Sequence, residues 1–555
     1  MFKRGYNIVL ILLLCIGGFL MGCSSNDNDV IGPEEGGTAH YYLNLKLNMG
    51  QATTRAVEDH PYGGEDGDGR EDGHNYENDI EDFTIFIYED TEGNGVNDAA
   101  STTFKYRQYI GGIYLSSIAG IYETGPIKIT GTGDKAYIPS DKDRILVVAN
   151  MGDLTSSITT LGGLRDKMVS SAWTAGADIT KYHYFAMSSS VDGIVSGIDY
   201  GKMNVTDYTG TEWDPFNAQV QIERVAARID FWMIKNLEGK DYVSYEVGTG
   251  TDKDEFRLSH VRIVNGSQKP TYNLKRTASA VNPSVTDIKY LGEETVKTGT
   301  KIPTNYVVEP LTYLKNNTKY ASSDDLEDWF GASRLSESQS TTFLSSDNYK
   351  ISTHKNEQFK VTETDTDIDD LDGTHGDGVT CYTLDYVMEN TMDKTGQVNE
   401  YRTGLELKGT YVPNAKNVKI LKSDGTLDIA TGYTAGDDFY YYVKADKSEK
   451  IFFQTETDAK SYRAKSGKYG TIKKYTKGEC YYYVWIRHAM FGTGTGEGTG
   501  QFPMEYGIVR NNIYRIGVEK VSEIGSNVPD PGDDPLLGKI YVRPWRYRSH
   551  VDIAL

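Results

Sequence analysis

The chain has 555 residues, a formal net charge of −21 and a mean hydropathy of −0.51, values of a globular protein long enough for two or three cores. The acidic balance argues against nucleic-acid binding, because phosphate contacts need clustered Lys and Arg that this sequence does not assemble. Forty-one tyrosines and fifty-eight glycines point to many strands and turns, hence to an all-β fold.

The opening residues "MFKRGYNIVLILLLCIGGFLMGC" place Lys3 and Arg4 ahead of an apolar run from Ile8 to Leu20. That pattern is a secretory signal over 1–22 rather than a spanning helix; the alternative is a signal with its cleavage site elsewhere. Leu20, Met21, Gly22 and Cys23 resemble the bacterial lipobox, in which the cysteine is acylated and the preceding peptide removed. The polar "SSNDND" behind it resembles the surface-export signal of some Bacteroidales lipoproteins. Cys15 would leave with the signal and Cys23 would carry lipid. Cys381 and Cys480 then allow at most one bridge, with two thiols an equal alternative.

A linker composition holds to about Gly37, and "HYYLNLKLNMG" follows. Its residues alternate, with Tyr41, Leu43, Leu45, Leu47 and Met49 on one face and Tyr42, Asn44, Lys46 and Asn48 on the other. This predicts a strand with one buried face. The stretch behind it is too polar and glycine-rich to pack, and it contains Arg55 in "QATTRAVED", where a protease can accommodate an extended backbone; Arg70 is a second candidate.

Strand-like runs recur at "FTIFIYED", "RILVVANMGDL", "QVQIERVAARIDFWMI", "CYYYVWIRHAMF" and "YGIVRNNIYRIGVEKV", with a short helix expected at "SSDDLEDWFGASRL". The spacing reads as β-sandwich and the length asks for two, with a boundary near Asn217. Nine histidines show no metal-ligand spacing, and no nucleophile elbow, P-loop or paired CxxC occurs. The run "GTGTGEGTG" fits no register of GxGxxG and reads as a loop between strands. The acidic stretches beginning at Asp66, Asp90 and Asp365 each miss a required position of a calcium loop, so they read as solvated loops. No enzyme, metal or cofactor is expected.

The final residues "GKIYVRPWRYRSHVDIAL" alternate again. Ile540 and Val542 are the apolar members before Pro544; Trp545, Tyr547, Val551, Ile553 and Leu555 share one phase after it. Pro544 is expected to divide the segment into two short strands. The preceding "GSNVPDPGDDPLLG" reads as a linker that holds the tail extended and off the domain. Both ends of the chain are therefore amphipathic strands on leashes. Each either completes its own sandwich, or the two compete for one place in a sheet whose open edge would expose backbone groups.

The ordered series of the Cys23 lipobox, "TTRAV", "FTIFIYED", "RILVVANMGDL", "YFAMSSS", "IERVAARIDF", "YYYVWIRHAMF", "YGIVRNNIYRIGVEKV" and "VRPW" resembles the fimbrillins, the type V pilus subunits of Bacteroidales, and in particular subunits of the short, minor fimbriae. The resemblance implies two transthyretin-like β-sandwich domains and a C-terminal donor-strand segment. It implies export as a lipoprotein to the outer membrane and cleavage between Arg55 and Ala56 by an arginine-specific or trypsin-like protease. It further implies head-to-tail self-assembly at the cell surface, with other fimbrial subunits as partners: the C-terminal strand of one subunit enters the groove that the Tyr41–Met49 strand vacates in its neighbour. The expected segments are the signal (1–22), a lipidated propeptide (23–55), N-terminal (56–218) and C-terminal (219–524) sandwiches, a linker (525–538) and donor strands (539–555). A stalk subunit fits best; an ancillary tip or anchor fimbrillin is the alternative, and a surface glycan-binding lipoprotein is the reading from a different class.

Overall fold

The protein's structure is a computed structural model that describes residues 40–49, 71–72, 75–91, 101–113, 117–118, 121–130, 137–169, 171–173, 184–189, 194–195, 198–199, 201–233, 240–267, 271–274, 293–296, 300–303, 330, 333–335, 351, 358–360, 380–391, 397–488, 506–529 and 536–546. Strands dominate, as the composition predicts.

The N-terminal unit is built from β1 (His40–Asn48), β3 (Asp82–Glu89), β4 (Tyr106–Gly111), β5 (Ser117–Ile118), β6 (Ile121–Thr130), β7 (Asp143–Ala149), β9 (Met187–Ser189), β12 (Met203–Asn204) and β13 (Phe216–Arg224). Their order is β4-β3-β7-β9-β13-β1-β6-β5, with β12 also on β13. Strand β13 serves two leaves: β9 pairs with its end at Ile222–Arg224, and β1 and β12 take opposite sides of its first half. β3 and β7 are near-continuous apolar runs because both faces are covered. Phe83, Ile85 and Ile87 face the main core, whereas Phe86 and Tyr88 pack with Leu146, Val148 and the short helix α1 (Leu161–Arg165). The Thr160 side chain caps α1 by accepting from the Gly163 amide.

The C-terminal unit has one leaf of β20 (Gln358–Lys360), β21 (Thr380–Met388), β14 (Ala226–Met233) and β29 (Asn512–Val521), and another of β15 (Val243–Val247), β16 (Asp254–Val264), β22 (Gly404–Val412) and β28 (Glu479–Trp485). The leaves join where Val247 of β15 meets Val521 of β29. Between them lie Ile229 and Phe231 from one leaf and Phe256, Leu258, Leu405, Leu407 and Tyr482 from the other. An insertion follows β22: β23 (Val418–Leu421), β24 (Leu427–Ile429), β25 (Phe439–Lys444), β26 (Lys450–Phe453) and β27 (Gly470–Tyr475), ordered β24-β23-β26-β25-β27. One face of this sheet joins the main core through Phe439, Tyr441 and Tyr475, and the other holds helix α2 (Glu456–Arg463) through Tyr442, Phe453 and Tyr462. Two-stranded pairs complete the described elements: β10 (Ile194–Val195) with β11 (Ile198–Asp199), β18 (Glu293–Val296) with β19 (Thr300–Pro303), and β8 (Met168–Val169) with β17 (Thr271–Tyr272).

Three observations differ from the sequence expectations. Strand β13 runs through the expected boundary at 218, and the chain passes from one unit to the other between Arg224 and Ala226. The tail forms a single strand, β30 (Leu536–Arg546), that continues through Pro544 opposite Asn512. A proline is tolerated in an edge strand because it needs no donor on its outer side. Nor is the tail held off the domain: it lies antiparallel along β29, where it satisfies backbone groups of an edge otherwise bare. The two-residue β2 (Glu71–Asp72) pairs with its far end at Trp545–Arg546. Of the expected helix at "SSDDLEDWFGASRL", only Phe330 and 333–335 fall among the described residues.

Candidate functional site

The position of β1 distinguishes it from every other terminal segment. It lies inside the N-terminal sheet, parallel to β13 from Leu43↔Phe216 to Asn48↔Gln221 and antiparallel to β6 from His40↔Thr130 to Asn48↔Ile121. The period of two then sends alternate side chains inward: Leu43, Leu45, Leu47 and Met49 are at most 2% exposed, and Tyr41 stacks on Phe216 with ring centroids 5.8 Å apart. A bulge between Asn44 and Lys46 would orphan one amide, and the Leu45 N–H instead donates to Thr124 Oγ1 at 3.1 Å. The outer face is polar, with Asn44 donating to Asn217 at 3.1 Å and Lys46 paired to Glu123 at 3.0 Å.

Burying four such side chains contributes about 6–12 kcal/mol. Ordering the backbone of a nine-residue strand costs on the order of 9–18 kcal/mol, offset in part by the hydrogen bonds on its two edges. The terms are of the same size. The net hold on β1 is therefore a small difference between large terms to which its covalent continuity with the rest of the chain adds, and without β1 the strands β13 and β6 would present bare edges flanking an apolar slot.

One end of that slot is formed by a tight turn. The Gly210 carbonyl accepts from the Tyr42 N–H at 2.9 Å, and Thr211 bridges to Asp214 just ahead of β13. Gly210 has φ +75°, and a Cβ there would stand 2.5 Å from the Phe216 ring, so the turn requires glycine.

The tail residues Ile540, Val542 and Trp545 lie on β30, where Ile540 is opposite Ile516, Val542 opposite Tyr514 and Trp545 opposite Glu71. Cys23, Arg55, Ala56, Tyr547, Val551, Ile553 and Leu555 lie outside the described residues, as do the glycine-rich run and the acidic stretch at Asp365. Asp90, which opens another acidic stretch, is buried and paired with Arg144 at 2.8 Å. Cys480 is a buried thiol on β28 and not part of a disulfide. No group of side chains able to hold a metal occurs among the described residues, and none of their helices is long and apolar enough to cross a membrane.

Where the two units meet, the structure assembles a buried charge network that the sequence reading passed over. Arg228 on β14 donates to both carboxylate oxygens of Glu77 at 3.2 Å and to Asp230 at 3.0 and 2.9 Å. Tyr386 on β21 donates to Glu77, and Arg224 at the end of β13 donates to the Glu77 carbonyl at 2.9 Å and to Asn511 at 3.2 Å. Burial by itself would lower the Arg228 pKa, but the Asp230 and Glu77 carboxylates outweigh it and raise the value well above the ordinary one. For Arg224, burial outweighs the nearby Glu77 charge and lowers the value to about 10. Arg510 reaches Glu389 at 2.9 Å and the Asn273 carbonyl at 2.7 Å. The signal in the sequence is charge inside apolar strands, "IERVAARID" and "IVRNN": a buried arginine requires partners, although nothing local names them.

Among the described residues the arrangement offers strand-pairing edges. Residues 473–550, from the end of β27 through the tail, match a family described as major fimbrial subunit protein type IV, fimbrillin, C-terminal. Among solved structures, the tip fimbrial protein Mfa3 from Porphyromonas gingivalis is 10% identical with a TM-score of 0.32, covering 91% of this chain and all of that one. A fimbrilin (FimA) from Porphyromonas gingivalis W83 is 14% identical with a TM-score of 0.33, covering 91% of this chain and 98% of that one. No curated protein matches the sequence.

Proposed function

We propose that the chain is a fimbrillin, a reading supported by the family match of its C-terminal region, and that it is the stalk subunit of a fimbrium, polymerised by strand exchange. It is a structural protein that assembles with other fimbrial subunits at the cell surface. In the proposed sequence of events, Cys23 carries lipid and holds the precursor at the outer membrane. An arginine-specific or trypsin-like protease cuts between Arg55 and Ala56, and β1 loses its covalent tie. The C-terminal segment of another copy, with Ile540, Val542, Trp545, Tyr547, Val551, Ile553 and Leu555 as its apolar members, then takes its place.

The observation that carries this reading is the seating of β1, a strand upstream of Arg55 inserted between β13 and β6 and joined onward through the segment that contains Arg55. A segment so placed leaves a slot that needs both hydrogen-bonding edges and apolar side chains restored, and an extended strand supplies both. Because donor and slot lie on different parts of the molecule, the contact is heterologous and propagates as a filament.

N-terminal sequencing of surface filaments tests the processing step: the reading expects Ala56 first, and residues upstream of Arg55 would overturn it. Truncation after Gly538 tests the donor: folded, soluble monomers without filaments are expected, and filaments from such a chain would remove the tail from its role.

A further inference from the structure

Two surface features stand out from the acidic, polar exterior. The first is the turn at the end of the β1 slot, where Trp213 is 93% exposed between the exposed Glu212 and the half-buried Asp214. The turn is rigid: the Gly210 N–H donates to the Asp214 carbonyl at 2.9 Å, and Asp214 accepts from the Thr209 amide and hydroxyl, each at 2.8 Å. A tryptophan standing in water on a turn whose backbone is already ordered presents a large amphipathic surface at reduced backbone cost, a condition that suits an interface anchor.

The second is in the insertion. From Ala459 to Gly478 the sequence has seven Lys or Arg and no Asp or Glu, in a chain whose net charge is −21. Some of these cations are occupied: Lys460 pairs with Glu456, Lys468 with Glu449 and Lys474 with Asp438. Arg463, Lys473 and Lys477 are exposed and make no ion pair among the described residues, and Tyr469 beside them is 76% exposed. Cations at the end of α2 suit its dipole, and lysines on β27 protect an open sheet edge. Neither role accounts for their location, which is where the tail departs. Tyr475 of β27 donates to the Gly525 carbonyl at 2.6 Å, and Asn527 donates to the Lys474 carbonyl at 3.0 Å.

We propose that these surfaces dock on each other between successive copies of the chain, the Glu212–Trp213–Asp214 turn of the acceptor seating against the Tyr469, Lys473 and Lys477 surface of the copy that donates its tail. This rests on the strand-exchange reading and specifies the second contact it needs. Residues 529–538 can span at most about 35 Å, so a donated tail holds the acceptor's slot close to the surface from which the tail departs. Each copy is strongly acidic, so close approach is repulsive unless the basic strip meets the acidic turn at the mouth. The tryptophan supplies apolar contact, and the charges supply register and encounter rate.

The test uses full-length protein cut after Arg55 and follows filament extension, alongside binding of a peptide of residues 536–555. Trp213→Ala, Glu212→Lys and Lys473→Glu/Lys477→Glu should each slow extension about tenfold or more while leaving peptide binding unchanged. The charge variants should lose most of their effect at about 0.5 M salt, where screening reaches only a few ångströms, whereas Trp213→Ala should not. Combining Glu212→Lys with Lys473→Glu/Lys477→Glu in one chain should recover much of the rate. Unchanged extension in all three variants overturns the docking contact. Loss of peptide binding in Trp213→Ala also overturns it, by assigning that residue to the slot itself. If Lys473→Glu/Lys477→Glu extends normally but no longer binds dextran sulfate, the strip serves an anionic glycan and the inference fails. If the unsubstituted chain shows neither filaments nor peptide binding, strand exchange fails and the docking contact falls with it.

Discussion

The two terminal strands look alike in sequence and occupy opposite kinds of place. Strand β1 has neighbours on both sides and four side chains in the core, whereas β30 lies along β29 with, among the described residues, only the two-residue β2 on its outer side. An edge strand can leave by breaking one ladder. A central strand must break two and open the core, so it stays until something cuts its connection. The difference is compatible with the proposed roles, in which a strand suited to departure is donated and a strand that must be removed marks the place where donation ends.

The largest effect is expected where both units share one element. Arg228→Ala strands Glu77 and Asp230 at the junction and should cost about 3–5 kcal/mol in chemical denaturation, with both units losing structure together. Two separated transitions in the unsubstituted chain would break the comparison, because the termini would then belong to independent bodies.

Next is the contrast itself. Leu45→Ala in the uncut chain should cost about 2–5 kcal/mol, as for a buried leucine in a closed core. Truncation after Gly538 should lower the unfolding free energy by less than that, since it removes an edge. A truncation more costly than Leu45→Ala would mean that the tail is structural and not available for exchange. Thr124→Val leaves the Leu45 amide without its acceptor at the bulge and should cost about 1–2 kcal/mol, with faster hydrogen exchange confined to β1 and β6. Smallest is Lys46→Ala, which breaks an exposed pair with Glu123 and should change stability by less than about 0.5 kcal/mol. Together these substitutions measure how much of the hold on β1 lies in its inward face.

Much of the strand content was legible. "HYYLNLKLNMG" specified which side chains of β1 point inward because a period of two is a local property of extended backbone. "RILVVAN" and "FTIFIYE" read as strands for the same kind of reason, and the structure adds that both of their faces are covered. The candidate slot was less legible. Alternation shows that a strand has an apolar face, but not which strands flank it, and β1 pairs with a partner some 170 residues away, as in Leu43↔Phe216. Pro544 shows the limit from the other side. Its local rule predicted a break, and the rule gave way because Pro544 lies on a strand whose outer edge has no partner at that position among the described residues.

The sequence by itself determined the all-β character and the inward face of β1. Both of these follow from residue type and from spacing over a few positions. Only the tertiary structure decided that β1 is central and β30 peripheral, that Arg228 finds Glu77 at the junction, and that Trp213 stands at the end of the slot while a lysine-rich edge adjoins the tail's departure. Those relations join residues far apart in the chain, and long-range pairing is selected by the fit of whole sheets, which no local period encodes.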